Sequence, residues 1–422
     1  MTTSGPHAVV LRGPVLYPDS PDRVKAWADG FVRLDADGRI AASGPWEPGV
    51  AGESDRVVET GRALVLPAFV DAHVHLPQLD VRGSWGLPLL QWLDRWVYPA
   101  EAAFADPDHA EAVATRFFAA LAAAGVGTAA VFGTVHAAAV ERAFRVAETS
   151  GLRVLMGKVL MDRSAPDALL EPAEAGIRAS LALAERWEGA AGGRLGYAIT
   201  PRFAPTCSQE LLAAAGRAAR DSGLRIQTHL SESPGEVARV AELFPDAPDY
   251  LAVYARVGLV GEGTVLAHTI HCSDGEYGRI AGGGAAIACC PSSNAFLGSG
   301  AFPLARAREA GARIAVGSDV GAGPQFSPLD VLRHLAHLGD VGPAELLWRG
   351  TAAGAEALGF GGATGRLTAG SSADIVLLEP PEGAPADPLE AFTTAVFRQP
   401  ETRVVATLVE GRVIHGSLQT NL

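Results

Sequence analysis

Through the centre of the chain, apolar runs of strand length alternate with stretches of helical period. Eight such runs stand out, at 63–75, 127–134, 153–162, 194–203, 225–232, 264–271, 285–294 and 313–321. Between them lie segments whose apolar residues recur at three- and four-residue spacing, among them 107–124, 137–149, 173–187, 208–222 and 303–310. Asp106 before Pro107, and Ser208 before a Leu- and Ala-rich face, supply N-caps. Gly282-Gly283-Gly284 reads as a helix-to-strand turn. Strands alternating with helices build parallel units. Eight of them predict a closed (β/α)8 TIM barrel of the α/β class rather than an open sheet.

The two ends follow another rhythm. Short strands separated by turns are expected at 8–16, 30–34, 39–43 and 56–59, with a turn at 35–38. The same pattern returns at 373–378, 404–410 and 413–415. This predicts a small β-sandwich domain built from both termini, residues 1–66 and 370–422, beside a barrel domain at 67–369.

Polar residues with chemical potential gather at the C-terminal ends of the expected barrel strands, the face on which barrel enzymes place their active sites. His73 and His75 end the first strand. Residues i and i+2 of a strand point to one side, so both imidazoles face the same point. His229 ends the fifth strand, His268 the sixth and Asp319 the eighth. These five are candidate ligands for zinc or a related divalent metal. Glu232 follows His229 by three residues. A carboxylic acid beside a metal, but not bound to it, shuttles protons. Asp319 can ligate and also take a proton from the water that a metal activates. The other histidines read as bland. His7, His109 and His415 are expected at the surface, His334 and His337 on a late helix, and His271 outside the barrel; His136 is a candidate for the pocket.

Composition narrows the field. The 422 residues are 48% hydrophobic, ample for a large core, and carry a formal net charge of −13. Such a surface repels phosphate backbones, and no basic run offsets it, so nucleic-acid binding is not expected. No signal-like or membrane-length apolar run is present, so a cytoplasmic protein with no membrane partner is expected. Cys207, Cys272, Cys289 and Cys290 form no Cys-x-x-Cys pair and read as reduced thiols.

Several stretches carry a family resemblance. Pro67-Ala68-Phe69-Val70-Asp71-Ala72-His73-Val74-His75 is similar to the first-strand signature of the amidohydrolase superfamily, and Gly365-Arg366-Leu367 through Ala373-Asp374-Ile375-Val376 to its return into the small β-domain. Within that superfamily, His75-Leu76-Pro77-Gln78, 157–163, 200–206, 228–232, 296–300 and 318–323 resemble the guanine deaminases. The resemblance implies a homodimer of barrels, each with one zinc (iron being the alternative), and hydrolysis of guanine to xanthine and ammonia. It implies His73, His75, His229 and Asp319 as metal ligands, Glu232 as proton shuttle, and His268 as the residue that holds or polarises the attacking water. Gln78, Arg202 and Phe203 fall on the family's purine-binding positions, with His229 and Glu232 also facing the substrate. An amide and a guanidinium suit ring nitrogens and a carbonyl, and an aromatic ring covers a flat base.

The chain departs from the pattern at Ala68, where Gly is usual, at Cys289-Cys290 near the end of the seventh strand, where a His is lost, and at Ser318 and Pro324-Gln325. Other readings therefore stay open: the same chemistry on an oxidised guanine, a pterin or a triazine; a binuclear cyclic amidohydrolase, for which Lys158 is the one lysine near a strand end; or a barrel without chemistry.

Overall fold

A computed structural model describes residues 8–418. Eight parallel strands follow one another in chain order around one sheet: Phe69–His75, Val126–Phe132, Arg153–Gly157, Leu195–Pro201, Arg225–Leu230, Thr264–His268, Ala286–Cys289 and Arg313–Val316. The end of the last strand meets the first through backbone bonds from Asp319 N to His73 O (2.8 Å) and from His75 N to Val320 O (2.7 Å). Phe69–His75, Val126–Phe132 and Leu195–Pro201 are buried at every residue, as parallel strands covered on both faces must be. This is the (β/α)8 barrel expected from the run pattern.

The helix Gln209–Ser222 shows how the covering layer forms. Ser208 caps it by accepting from Leu211 N, and Gly223 ends it in the left-handed region at φ 71°. Leu211, Leu212, Ala215, Ala218 and Ala219 make one buried stripe. Gly216 lies in that stripe because a Cβ there would fall 1.8 Å from the carbonyl oxygen of Val257.

The terminal strands form a second, eight-stranded sheet in the order Arg412–Gly416, Arg403–Val409, Ile375–Glu379, Leu64–Pro67, Val9–Ser20, Arg23–Leu34, Ile40–Pro45, with Arg56–Glu59 also paired to Val9–Ser20. Strands from both ends share one core, including Leu11, Val15, Val32, Ile40, Ile375, Leu377 and Leu408. The chain divides into two compact units. One holds the described residues up to Val70, Ala119–Thr128 and those from Ser327 onward; the other holds Asp71–Phe118 and Ala129–Phe326. No helix among the described residues is long and apolar enough to cross a membrane.

Several local expectations change. The run at 285–294 is a strand only to Cys289; Pro291 then opens the helix Pro291–Leu297, because proline suits the first turn of a helix and cannot continue a ladder. The run at 153–162 breaks at Lys158 between Arg153–Gly157 and Val159–Leu160. At the other end, 8–16 and 30–34 are parts of a longer hairpin, Val9–Ser20 with Arg23–Leu34, in which residues 23–29 include no fully buried position. Gly282–Gly284 is the expected turn: the helix Asp274–Gly282 ends there and Gly284 has φ 76°.

Candidate metal centre and active site

The barrel mouth brings the expected residues together. His73 and His75 point the same way from the first strand, and Gly317 lets the eighth strand press against them, since a Cβ there would meet His73 at 2.8 Å. Asp71 ties these two strands: it accepts from Ser318 N at 2.9 Å and from the Ser318 hydroxyl. Burial raises the Asp71 carboxyl to about 6 despite those bonds. Asp319 and His268 both hold left-handed backbone, φ 51° and 70°, a strained state for non-glycine residues that recurs at functional sites.

His73, His75, His229 and Asp319 are all buried, and one ligand atom from each lies within 4.8 Å of the others. Asp319 Oδ1 stands 3.3 Å from His73 Nε2 and 3.2 Å from His75 Nε2. His75 Nε2 and His229 Nε2 face each other at 3.1 Å. The His229 Nδ1–H donates to the Arg202 carbonyl at 2.7 Å, which leaves the Nε2 lone pair turned to the centre. Burial pushes His73 down to about 3, with Asp319 opposing only in part. His75 is lowered by burial, and His229 is held well below the usual range by burial and by His73 and His75. Burial would raise Asp319, but the neighbouring His73 and His75 outweigh it and hold the carboxyl well below its ordinary range.

Neutral imidazoles beside an ionised carboxylate are the form that binds a divalent cation. The opposed lone pairs need one: His73 Nε2 is buried without an aligned protein partner, and buried polar atoms rarely stay so. The donor set thus fits a metal ion held by His73, His75, His229 and Asp319.

Glu232 and His268 complete a second cluster that shares Asp319. His268 Nε2 lies 3.5 Å from Glu232 Oε2 and 3.8 Å from Asp319 Oδ2, and its Nδ1–H donates to Asn294 Oδ1 at 3.1 Å. Burial, together with the charges of Asp319 and Glu236, raises Glu232 well above the ordinary glutamate range. Glu236 acts at short range, since it accepts from Glu232 N at 2.7 Å and from the Tyr250 hydroxyl at 2.7 Å.

A cavity opens on this cluster. His75, Gln78, Arg202, Phe203, His229, Glu232, His268 and Asp319 line it, with Leu89, Trp92, Leu93, Leu297 and Ala322 as its apolar wall. Gln78 reaches it from the turn Leu76–Val81, and Arg202 and Phe203 follow the fourth strand. His73 belongs to the adjoining ligand cluster without lining the cavity, and the other expected ligands, proton shuttle and purine-binding residues converge here. His136 is half-buried and does not line the cavity. Lys158 is buried against Glu171 and belongs to neither ligand cluster. His334 lies on the helix Pro328–Ala336 and His337 caps it; His109 and His415 are half-buried; His271 Nε2 donates to Ser299 O. His7 lies outside the described residues. The four cysteines are buried and form no disulfide.

Glu101 escaped the sequence reading. It sits in the helix Tyr98–Ala102, 2% exposed, and binds Arg202 Nη1 through both carboxylate oxygens at 2.7 and 2.5 Å. It also accepts from Gln78 Nε2 at 3.3 Å. A lone acid among Trp96, Val97, Tyr98 and Phe104 was the available signal. Ser293, which donates to Asp319, and Ser299, 3.4 Å from Glu232, were also unassigned.

Comparison with known proteins agrees with this arrangement. The amidohydrolase family pattern matches residues 64–414. The guanine deaminase of Escherichia coli K12 is 36% identical over 410 residues, covering 94% of this chain and 92% of that protein; its solved structure covers 96% of this chain and 99% of its own, with a TM-score of 0.91. A probable guanine deaminase of Deinococcus radiodurans is 38% identical over 404 residues, 92% of this chain and 90% of the relative. A guanine deaminase from C. acetobutylicum, solved with guanine in its active site, is 26% identical, with a TM-score of 0.91 over 97% of this chain and all of that one. The chain belongs to the amidohydrolase family, on its guanine deaminase branch.

Proposed function

We propose that this protein hydrolyses the exocyclic amine of guanine, releasing ammonia and xanthine. The observation that carries the reading is one buried cavity in which Gln78, Arg202 and Phe203 stand beside the His73, His75, His229 and Asp319 donor set, with Glu232 and His268 between. Relatives bearing the name guanine deaminase, and one solved with guanine bound, support it.

His73, His75, His229 and Asp319 hold one divalent metal, zinc by the chemistry of three imidazoles and a carboxylate, with iron accepted by the same donors. When bound, the metal supplies a water molecule made acidic enough to react at neutral pH. Glu232, protonated by virtue of its raised pKa, gives its proton to the ring nitrogen N3 as water oxygen adds to C2, and takes the water's first proton in its place. Asp319 and His268 flank Glu232 and keep the water's second proton within reach of the leaving amine. The C2–N bond then breaks, ammonia departs with that proton, and the oxygen stays on C2. Phe203 covers the flat base, and Gln78 and Arg202 fix its in-plane orientation. The homodimer and the cytoplasmic setting rest on the family resemblance and on the absence of a membrane-length apolar run.

A panel of amino-heterocycles with metal-loaded protein tests the substrate: guanine, 8-oxoguanine, a pterin and an aminotriazine. The reading expects the highest kcat/KM for guanine. A higher value for any of the others contradicts it.

A further inference from the structure

The carboxylate of Glu101 can only accept hydrogen bonds, so the Gln78 atom turned towards it is the amide nitrogen. The amide is planar, and its oxygen is the atom left for a ligand in the cavity that Gln78 lines. Glu101 also spends both its oxygens on Arg202 Nη1, within a pair of which each member is at most 3% exposed. The guanidinium has further N–H donors and likewise lines the cavity. Tyr98, from the same helix as Glu101, lies against it, with the Arg202 Cζ 5.5 Å from the ring centroid.

We propose that Glu101 is a specificity-determining residue: it locks the Gln78 amide so that the site offers an acceptor from Gln78 beside donors from Arg202, and so reads a lactam edge. This inference rests on the proposed function. Guanine presents such an edge, N1–H next to C6=O, adjacent to the carbon that reacts. A 6-aminopurine presents the reverse, a bare ring nitrogen next to an amine. Against the locked pair it sets acceptor facing acceptor and donor facing donor, and buried polar groups left unmatched are what make such discrimination large. Glu101 acts only through Gln78 and Arg202, so it is a positioning residue. Leu89, Trp92 and Leu93, which also line the cavity, are apolar and offer no such constraint.

The test uses two purines without a 2-amino group, hypoxanthine with the lactam edge and adenine with the reverse. Their Kd values are measured by calorimetry on metal-loaded wild type, Glu101→Gln and Glu101→Asp, with guanine turnover followed in parallel. Wild type is expected to prefer hypoxanthine by roughly tenfold or more. Glu101→Gln, whose amide can face Gln78 either way, is expected to reduce that preference at least fivefold, and Glu101→Asp to restore part of it. A purely structural role would weaken both ligands alike and leave the ratio unchanged, and that result overturns the inference. If neither Glu101 variant folds, Gln78→Met decides, and an undiminished hypoxanthine preference there overturns it equally. Wild type that does not turn over guanine overturns the functional reading and this inference together; wild type active on guanine with an unchanged ratio in the variants overturns this inference alone.

Discussion

Ser293 donates its hydroxyl to Oδ2 of Asp319 at 2.6 Å, while Oδ1 of the same carboxylate faces His73 and His75. The two oxygens of Asp319 are thereby divided, one towards the ligand cluster and one towards Ser293 and His268. Ser293 sits on the helix that Pro291 opens after the seventh strand, so this short helix sets the rotation of the carboxylate. Replacing Ser293 with Ala removes a hydrogen bond to a buried charge and frees that rotation. Metal affinity or kcat should fall by about 10- to 100-fold. Metal titration and steady-state kinetics on the variant check this, and values within twofold of wild type would show that Ser293 does not orient Asp319.

Glu232 should be separable from metal binding, because the ligand cluster of His73, His75, His229 and Asp319 closes without it. Glu232→Gln keeps the shape and loses the transferable proton. The expected result is one metal per chain with kcat lowered about a hundred- to ten-thousandfold. Elemental analysis alongside kinetics makes the distinction, and wild-type turnover in the variant would remove Glu232 from the proton path.

Glu232 must carry a proton to act as an acid. A raised carboxyl pKa means it stays protonated to higher pH, so kcat/KM should decline as pH rises through that value. The negative charge of Glu236 is one cause of the elevation. Glu236→Gln removes this charge, lowers the Glu232 pKa, and should move the alkaline limb of the profile to lower pH. A limb that stays in place, or moves to higher pH, contradicts the assignment of that limb to Glu232.

Removing the metal should also cost stability. Without a cation, His75 Nε2 and His229 Nε2 remain opposed at 3.1 Å in a buried site. A ligand present at a thousand times its Kd stabilises the folded state by about 4 kcal/mol. Chelation should therefore lower Tm, and added zinc should restore both Tm and activity. A thermal melt insensitive to chelation and to zinc would argue against a metal held by these four residues.

The barrel was readable because parallel strands covered on both faces are continuous apolar runs, and because five of the site residues, His73, His75, His229, His268 and Asp319, ride on or just past strand ends. Periodicity alone therefore placed them on one rim. Glu101 was not readable for the opposite reason. It arrives from the irregular stretch between the first and second strands, where short helical turns at Leu89–Trp92, Leu93–Val97 and Tyr98–Ala102 carry no sustained period. Its role depends on two partners, Gln78 and Arg202, that only the fold brings near. The helix at Pro291–Leu297 was hidden by the apolar Cys289-Cys290 pair before it, although Pro291 marked its first turn. The first half of Arg23–Leu34 holds no fully buried residue, so no apolar run of strand length marks it as part of the hairpin.

The central claim is hydrolysis of guanine at C2. Metal-loaded protein turning over guanine in ¹⁸O-labelled water tests it most directly, with ammonia counted and the purine product weighed by mass spectrometry. The account predicts one xanthine per ammonia, each carrying a single ¹⁸O at C2, and loss of both products on chelation. Folded protein with one metal per chain that forms no xanthine from guanine would contradict it.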